Sequence, residues 1–328
     1  MSLSSMPTTP KKNLMLFSGR SNPDLADEVA RHLDVTVAPQ QAFSFANGEI
    51  FVRFEESVRG CDAFVLQSHS EPINDAVMEQ LIMVDALKRA SAKRITVVMP
   101  FWGYARQDKK HRGREPISAR LMADMFKTAG ADRIMTVDLH TAQIQGFFDG
   151  PVDHLFAMPV LAEHVKQDYA TGDLVVVSPD SGRVRLAERW AETLGGTPLA
   201  FIHKTRDPGK PNQAMVNRVV GDVEGRVAIV IDDIIDTGGT IAGAVQAILD
   251  DGASGVVVAA THGVLSGPAP ERLGGCGARE VIFTDSLPIG KDKHFEQLRV
   301  LSIAPLLARA IHEVFEDGSV TSLFDGNA

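Results

Sequence analysis

The sequence predicts an α/β fold of two related domains, each a mostly parallel sheet flanked by helices, and three observations carry that expectation. Short β-branched apolar runs such as Val227–Ile231 are too brief for helices and suit strands buried on both faces. Such runs alternate with segments of helical period along the chain. The 328 residues, 44% hydrophobic and 23% charged, match a soluble globular chain of about two domains.

Taken in order, Leu14 to Phe17 begins the fold as a strand and Ser18-Gly19-Arg20-Ser21 turns. Asn22-Pro23-Asp24 then opens a helix with a capping side chain and proline in the first turn. Further strands are expected near 62–67, 95–100, 133–138, 174–178, 198–202, 228–231, 255–261 and 280–284. Helices are expected near 74–90, 117–128, 159–167, 184–194, 240–250 and 303–315. The similar element order of the two halves places a domain boundary near 150–158. Residues 1–12 are polar, lack the apolar core of a signal peptide and read as a disordered tail.

Bulk properties exclude several classes. A net charge of −9 disfavours a general nucleic-acid or anionic-membrane binder, so a polyanion must meet local clusters of Lys and Arg. No run approaches the roughly 18 apolar residues of a membrane span. Cys61 and Cys276 are the two cysteines; so far apart they form neither a disulfide framework nor a zinc pattern, which fits a reducing cytoplasm.

The chemistry centres on Val227 to Ala247, VAIVIDDIIDTGGTIAGAVQA. After the buried run come Asp232 and Asp233, then Asp236, Thr237, Gly238, Gly239 and Thr240, then Ile241, Ala244, Val245 and Ile248 at helical spacing. Glycines without a Cβ let a ligand approach the backbone, and threonine hydroxyls lie beside the open N–H groups of a helix start. An anion fits there, most simply a phosphate. The two carboxylates, about one sugar length away, can accept hydrogen bonds from vicinal hydroxyls, so the pattern describes a phosphorylated pentose. It contains neither a Walker lysine nor a dinucleotide fingerprint. DDIIDTGGT resembles the phosphoribosyl-binding motif of type I phosphoribosyltransferases and of the ribose-phosphate pyrophosphokinases, which implies phosphoribosyltransferase-like domains.

Six other segments carry that resemblance. Phe43 to Ile50 holds an Asn47-Gly48 hairpin signal, and an exposed Phe45 beside Asn47 and Glu49 could also stack on a flat heterocycle; the residues alone leave both readings open. In the synthetase family this segment holds the adenine of ATP across a subunit interface, which implies ATP contacts at Phe45, Asn47, Gly48 and Glu49. The loop PFWGYARQDKKHRGREPIS follows a strand and concentrates Arg106, Lys109, Lys110, Arg112 and Arg114, a local excess suited to a triphosphate. The resemblance places ATP at Arg106, Gln107 and Asp108. DLHTAQIQGFF sets His140 just past a strand with Asp138 two residues earlier, a workable site for a hard cation; in the family the histidine ligates magnesium. Pro179-Asp180-Ser181-Gly182-Arg183 suits a diphosphate loop with Asp180 approaching the metal, although the family usually has histidine and a second glycine at 181 and 183.

Residues 203–212 are basic, rich in turn formers and aperiodic, and read as a mobile flap. The family has a catalytic lysine and arginine here, implying Lys204 and Arg206, the latter also touching ribose 5-phosphate. Thr261 to Ala269 reads as mainly structural. The tail Gly318 to Phe324 resembles the family's regulatory segment, where Ser319, Thr321 and Phe324, with Ser57 and Arg59 across an interface, would meet phosphate or ADP.

The resemblance thus implies Mg²⁺-dependent transfer of the β,γ-diphosphoryl group of ATP to ribose 5-phosphate. The product would serve nucleotide, NAD, histidine and tryptophan biosynthesis. It further implies a cytoplasmic homohexamer with inorganic phosphate as activator and no nucleic-acid or membrane partner. The implied domains are 13–155 for ATP and oligomer contacts, 156–304 for ribose 5-phosphate, and 305–328 as a helix and regulatory tail on the first domain. A phosphoribosyltransferase, a catalytically silent subunit and a nucleic-acid-binding regulator are the rival readings.

Overall fold

The two halves of the chain each build their own sheet. The computed structural model describes residues 12–169, 172–205 and 216–324, with backbone alone at 204, 205, 216 and 217. One unit holds the chain up to Thr136, Thr141–His154 and the segment from Leu307; the other holds Val137–His140 and Leu155–Leu306.

In the first unit the elements are β1 (Leu14–Ser18), α1 (Pro23–Leu33), β2 (Gln40–Ser44), β3 (Ile50–Phe54), β4 (Asp62–Leu66), α2 (Ile73–Arg89), β5 (Arg94–Met99), α3 (Ser118–Ala129), β6 (Arg133–Val137) and β7 (Val152–Leu155). The sheet order is β1-β4-β5-β6-β7, parallel from β1 through β6, and β2 with β3 forms a separate antiparallel hairpin. All five residues of β4 are buried, as a strand covered on both faces requires. The helices bury one stripe each: Leu25, Ala26, Val29 and Ala30 in α1, and Ala119, Met122, Ala123 and Phe126 in α3. Asn22 does not cap α1 through its side chain as the sequence suggests; its Nδ2 donates instead to Ser68 Oγ at 3.3 Å.

His69 follows β4 and is 1% exposed. Its Nδ1 accepts from the Gly103 N–H at 2.9 Å, so Nε2 carries the proton and donates to Gln80 Oε1 at 2.9 Å. Burial lowers its pKa from 6.5 to about 4, against the opposing Gln80 bond. The unfolded chain therefore binds this proton first as pH falls, so the contribution of neutral His69 is complete above pH 6.5 and lost progressively toward pH 4. It amounts to about 3 kcal/mol. Urea midpoints at pH 7 and pH 4.5 should differ less in His69→Asn than in the unaltered protein; equal acid limbs would refute this account.

The second unit comprises α4 (Met158–Tyr169), β8 (Leu174–Ser178), α5 (Val184–Thr193), β9 (Leu199–Thr205), β10 (Val216–Val220), β11 (Val227–Ile235), α6 (Gly239–Asp250), β12 (Gly255–Gly263), α7 (Ala269–Gly274), β13 (Glu280–Thr284) and β14 (Leu298–Leu301); α8 (Ala304–Phe315) then carries the chain into the first unit. The sheet order is β10-β9-β8-β11-β12-β13-β14, with β10 antiparallel to β9 and the other pairings parallel. Strand alternation sorts the core into two layers. Val175, Val177, Val230, Val256 and Val258 face Ile241, Val245 and Ile248 of α6, while Val176, Ile229, Ile231 and Val257 face Leu161 and Val165 of α4 and Trp190 of α5.

This topology locates the site. From β8 the chain crosses through α5 to β9 on one side, and from β11 through α6 to β12 on the other. The loops after β8 and β11 therefore diverge, and the crevice between them is the topological switch point where parallel sheets bind ligands. Among the described residues no helix is long and apolar enough to cross a membrane.

Candidate active site

The strand expected over 228–231 is longer: β11 continues to Ile235 because β12 pairs with it as far as Ile235↔Gly263, whereas β8 pairs only up to Val230. Asp232 and Asp233 thus occupy the free margin of a strand at the switch point rather than a loop. Their side chains are 14% and 7% exposed.

Two chain segments converge on this pair. Asp233 Oδ2 lies 2.9 Å from His140 Nδ1. Arg183, from the loop after β8, reaches Asp232 Oδ1 with Nε at 3.1 Å and Asp233 Oδ1 with Nη2 at 2.6 Å. It also places Nη2 2.9 Å from His140 Nδ1 and donates Nη1 to the His140 carbonyl at 3.3 Å. His140 Nδ1 can give a proton to the carboxylate or take one from the guanidinium, but not both. Burial raises the Asp232 carboxyl well above the usual range, helped by the hydrogen bond and charge of Asp233. Burial pushes Asp233 the same way, but hydrogen bonds from His140 and Asp232 and the charge of Arg183 outweigh it and hold Asp233 at about 2. The environment thus separates the two adjacent acids.

Asp138 does not join His140 as a ligand set. Its φ of +38° turns the carboxylate inward, where Oδ2 accepts the Ala157 N–H at 3.0 Å and the Thr261 hydroxyl at 2.7 Å. Burial raises its pKa to about 6, against those two bonds. Buried His262 brings Nε2 to 3.1 Å from the carbonyls of Val137 and Asp138. Thr261 and His262, read from sequence as mainly structural, therefore fasten the turn that presents His140. Asp180 bonds within its own loop, its Oδ1 accepting the Gly182 N–H at 2.8 Å.

The residues fit a divalent cation. The adjacent carboxylates and an imidazole offer oxygen and nitrogen donors. Asp233 Oδ1 is buried without an aligned hydrogen bond and faces the charge of Arg183.

Beyond β11, Gly238 sits at φ +71° as the residue before α6, and a Cβ there would meet Leu273 Cγ at 3.3 Å. Thr237, Gly239 and Thr240 are exposed at the helix start, the arrangement that presents N–H groups to an anion. Asp236 accepts the Ser266 N–H through its carbonyl at 2.9 Å. Sequence reading missed Arg272, whose Nη1 donates to the Thr237 carbonyl at 3.0 Å. Nothing local marks this arginine, because its approach depends on the turn from β12 into α7.

In the first unit, the Phe45 N–H donates to the Glu49 carbonyl at 2.7 Å and Gly48 stands at φ +90°, which closes the hairpin. Asn47 Oδ1 accepts the Glu49 N–H at 3.1 Å. The hairpin does not remove Phe45 from solvent: it is 48% exposed, edge-on to Phe43. Turn and exposed aromatic therefore coexist. Arg106 and Gln107 are exposed, while Asp108 is buried and accepts Thr141 Oγ1 at 2.8 Å and Gln143 Nε2 at 2.6 Å. Asp108 thus anchors the basic loop. Ser57 and Arg59 are exposed, Ser319 Oγ and Thr321 Oγ1 lie 2.8 Å apart, and Phe324 is half-buried. Lys204 is in β9 with its backbone alone described, and Arg206 lies outside the described residues.

Comparison with known proteins matches this frame. Residues 14–130 fit the family model for the N-terminal domain of ribose phosphate pyrophosphokinase, and residues 209–325 fit that of the phosphoribosyl synthetase-associated domain. The chain is 70% identical over 321 residues to the ribose-phosphate pyrophosphokinase of Mycobacterium tuberculosis, covering 98% of both. It is 65% identical over 318 residues to that of Corynebacterium glutamicum, covering 97% of this chain and 98% of the relative. The crystal structure of phosphoribosylpyrophosphate synthetase from Mycobacterium smegmatis superposes with a TM-score of 0.89 at 69% identity, covering 94% of this chain and 100% of that one. With motifs, topology and full-length similarity in agreement, the chain belongs to the ribose-phosphate pyrophosphokinase family.

Proposed function

We propose that this chain is a ribose-phosphate diphosphokinase. The anomeric hydroxyl oxygen of ribose 5-phosphate attacks the β-phosphorus of ATP, the bond from that phosphorus to the α,β-bridging oxygen breaks, and AMP leaves with the bonding electrons while the hydroxyl proton is released. The observation that carries this reading is the acidic pair Asp232–Asp233 ahead of an open glycine helix start at the sheet's switch point. That pattern suits a sugar phosphate with neighbouring hydroxyls.

The residues divide the work. Asp236, Thr237, Gly238, Gly239 and Thr240 hold the 5-phosphate, and Asp232 and Asp233 orient the ribose hydroxyls. Phe45, Asn47, Gly48, Glu49, Arg106 and Gln107 receive ATP, with Asp108 bracing their loop. His140 and Asp180 would hold magnesium, which would supply neutralisation of phosphate charge. Lys204 and Arg206 stabilise charge on the transferred group. Phosphoryl transfer asks a protein chiefly for alignment and charge neutralisation.

Residues 13–155 then serve ATP and oligomer contacts, 156–304 serve ribose 5-phosphate, and 305–328 carry the regulatory tail. The exposed Met78 of α2 and Leu121 of α3, 47% and 55% accessible, support self-association, which we take to be a homohexamer. Buried free Cys61 and Cys276 support a cytoplasmic setting. Inorganic phosphate would activate through Ser57, Arg59, Ser319, Thr321 and Phe324.

Ion-exchange analysis of the protein incubated with ATP, Mg²⁺ and ribose 5-phosphate should give AMP and phosphoribosyl diphosphate in equal amounts. ADP in place of AMP would overturn diphosphoryl transfer.

A further inference from the structure

Adjacent buried carboxylates demand a cation, and this chain carries one of its own. Arg183 is 21% exposed and spreads one guanidinium over Asp232, Asp233 and both ring and carbonyl of His140, at 2.6 to 3.3 Å. Each of those side-chain contacts ends on a group of the ribose and metal site. The loop that carries Arg183 has fastenings of its own: the Ser178 hydroxyl donates to the Asp180 carbonyl at 2.6 Å, the Gly182 N–H donates to Asp180 Oδ1, and the Ala187 N–H donates to the Arg183 carbonyl at 3.0 Å. The guanidinium is therefore not needed to tie the loop down, and its side chain keeps a solvent-facing edge.

We propose that Arg183 is a displaceable counter-ion. It neutralises Asp232 and Asp233 while the site is empty, competes with divalent cations at His140 and the acidic pair, and is released toward substrate phosphates once the hydroxyls of bound sugar phosphate take up Asp232 and Asp233. This inference rests on the reading of Asp232, Asp233 and His140 as the ribose and metal site. A planar guanidinium suits both roles, because the fork that matches a carboxylate pair also matches phosphate oxygens. The consequence is ordered occupancy: a free divalent cation binds weakly to the empty protein, and binding strengthens once sugar phosphate is present.

The test uses Mn²⁺ as the probe, titrated into the full-length protein without nucleotide and followed by electron paramagnetic resonance. Arg183→Gln and Arg183→Gly should bind Mn²⁺ about tenfold or more tightly than the unaltered protein, as expected when a charge-assisted competitor is removed. In the unaltered protein, ribose 5-phosphate should tighten Mn²⁺ binding, and it should do so much less in Arg183→Gln. Equal or weaker Mn²⁺ binding in a folded Arg183→Gln overturns the proposal. So does Mn²⁺ affinity in the unaltered protein that ignores ribose 5-phosphate, a measurement that needs no variant to fold. Product analysis keeps the two readings apart. Normal AMP formation with a Mn²⁺ affinity indifferent to residue 183 removes the counter-ion and leaves the activity. A Mn²⁺ affinity that responds to residue 183 without product removes the activity and leaves the counter-ion.

Discussion

Lys204→Ala should lower the rate of AMP formation by about 10²–10³, the usual cost of removing one donor aimed at charge developing in a transition state. The fold should survive, because residue 204 contributes its backbone to the β9–β10 ladder opposite Asn217, and alanine keeps that pairing. Ribose 5-phosphate affinity should also hold, since the loop proposed to bind the sugar phosphate follows β11, a different strand. Single-turnover product analysis beside a thermal melt separates these effects. A rate within about tenfold of the unaltered protein would place Lys204 away from the reacting phosphate. A shared loss of rate and melting temperature would make it structural.

What the sequence disclosed follows physical lines. Strands buried on both faces, such as β4, β8 and β12, announce themselves as unbroken apolar runs. Helices such as α6 show a 3.6-residue stripe, and the Asn47-Gly48 turn declares its hairpin. The edge strands β7, β10 and β14 escaped because half-exposed edges mix polar with apolar residues, as in LRVL of β14. The length of β11 escaped for a different reason: its last residues are held by β12, so Asp232 and Asp233 lie within a strand only because of a distant partner. The same limit applies to side chains. That Asp138 turns away from His140 toward Thr261, 123 residues later, is a tertiary fact. So are the placements of Arg183 beside the acidic pair and Arg272 beside Thr237. Spacing along the chain located the acidic pair, His140 and the glycine loop, while the charges arranged around them depend on how loops from separate strands meet.

Asp233→Ala is expected to reduce folding stability by about 3 kcal/mol, because taking one partner from a buried ion pair leaves the other charge uncompensated. Asp233 is the hinge of the cluster: it meets His140 at 2.9 Å and Arg183 at 2.6 Å, and both would lose it together. Asp232 cannot replace it fully, since its Oδ1 already receives the Arg183 Nε and the Asp233 backbone N–H. The size of the loss therefore depends on Arg183 remaining in place. Removing both residues, in Asp233→Ala/Arg183→Gly, should cost less than the sum of the two single variants by roughly 1–2 kcal/mol, the coupling expected of groups in direct contact. Urea denaturation of the four proteins closes the cycle. Additive losses would mean that the guanidinium and the carboxylate do not sense each other in solution, and that the acidic pair is held at this position by the strand alone.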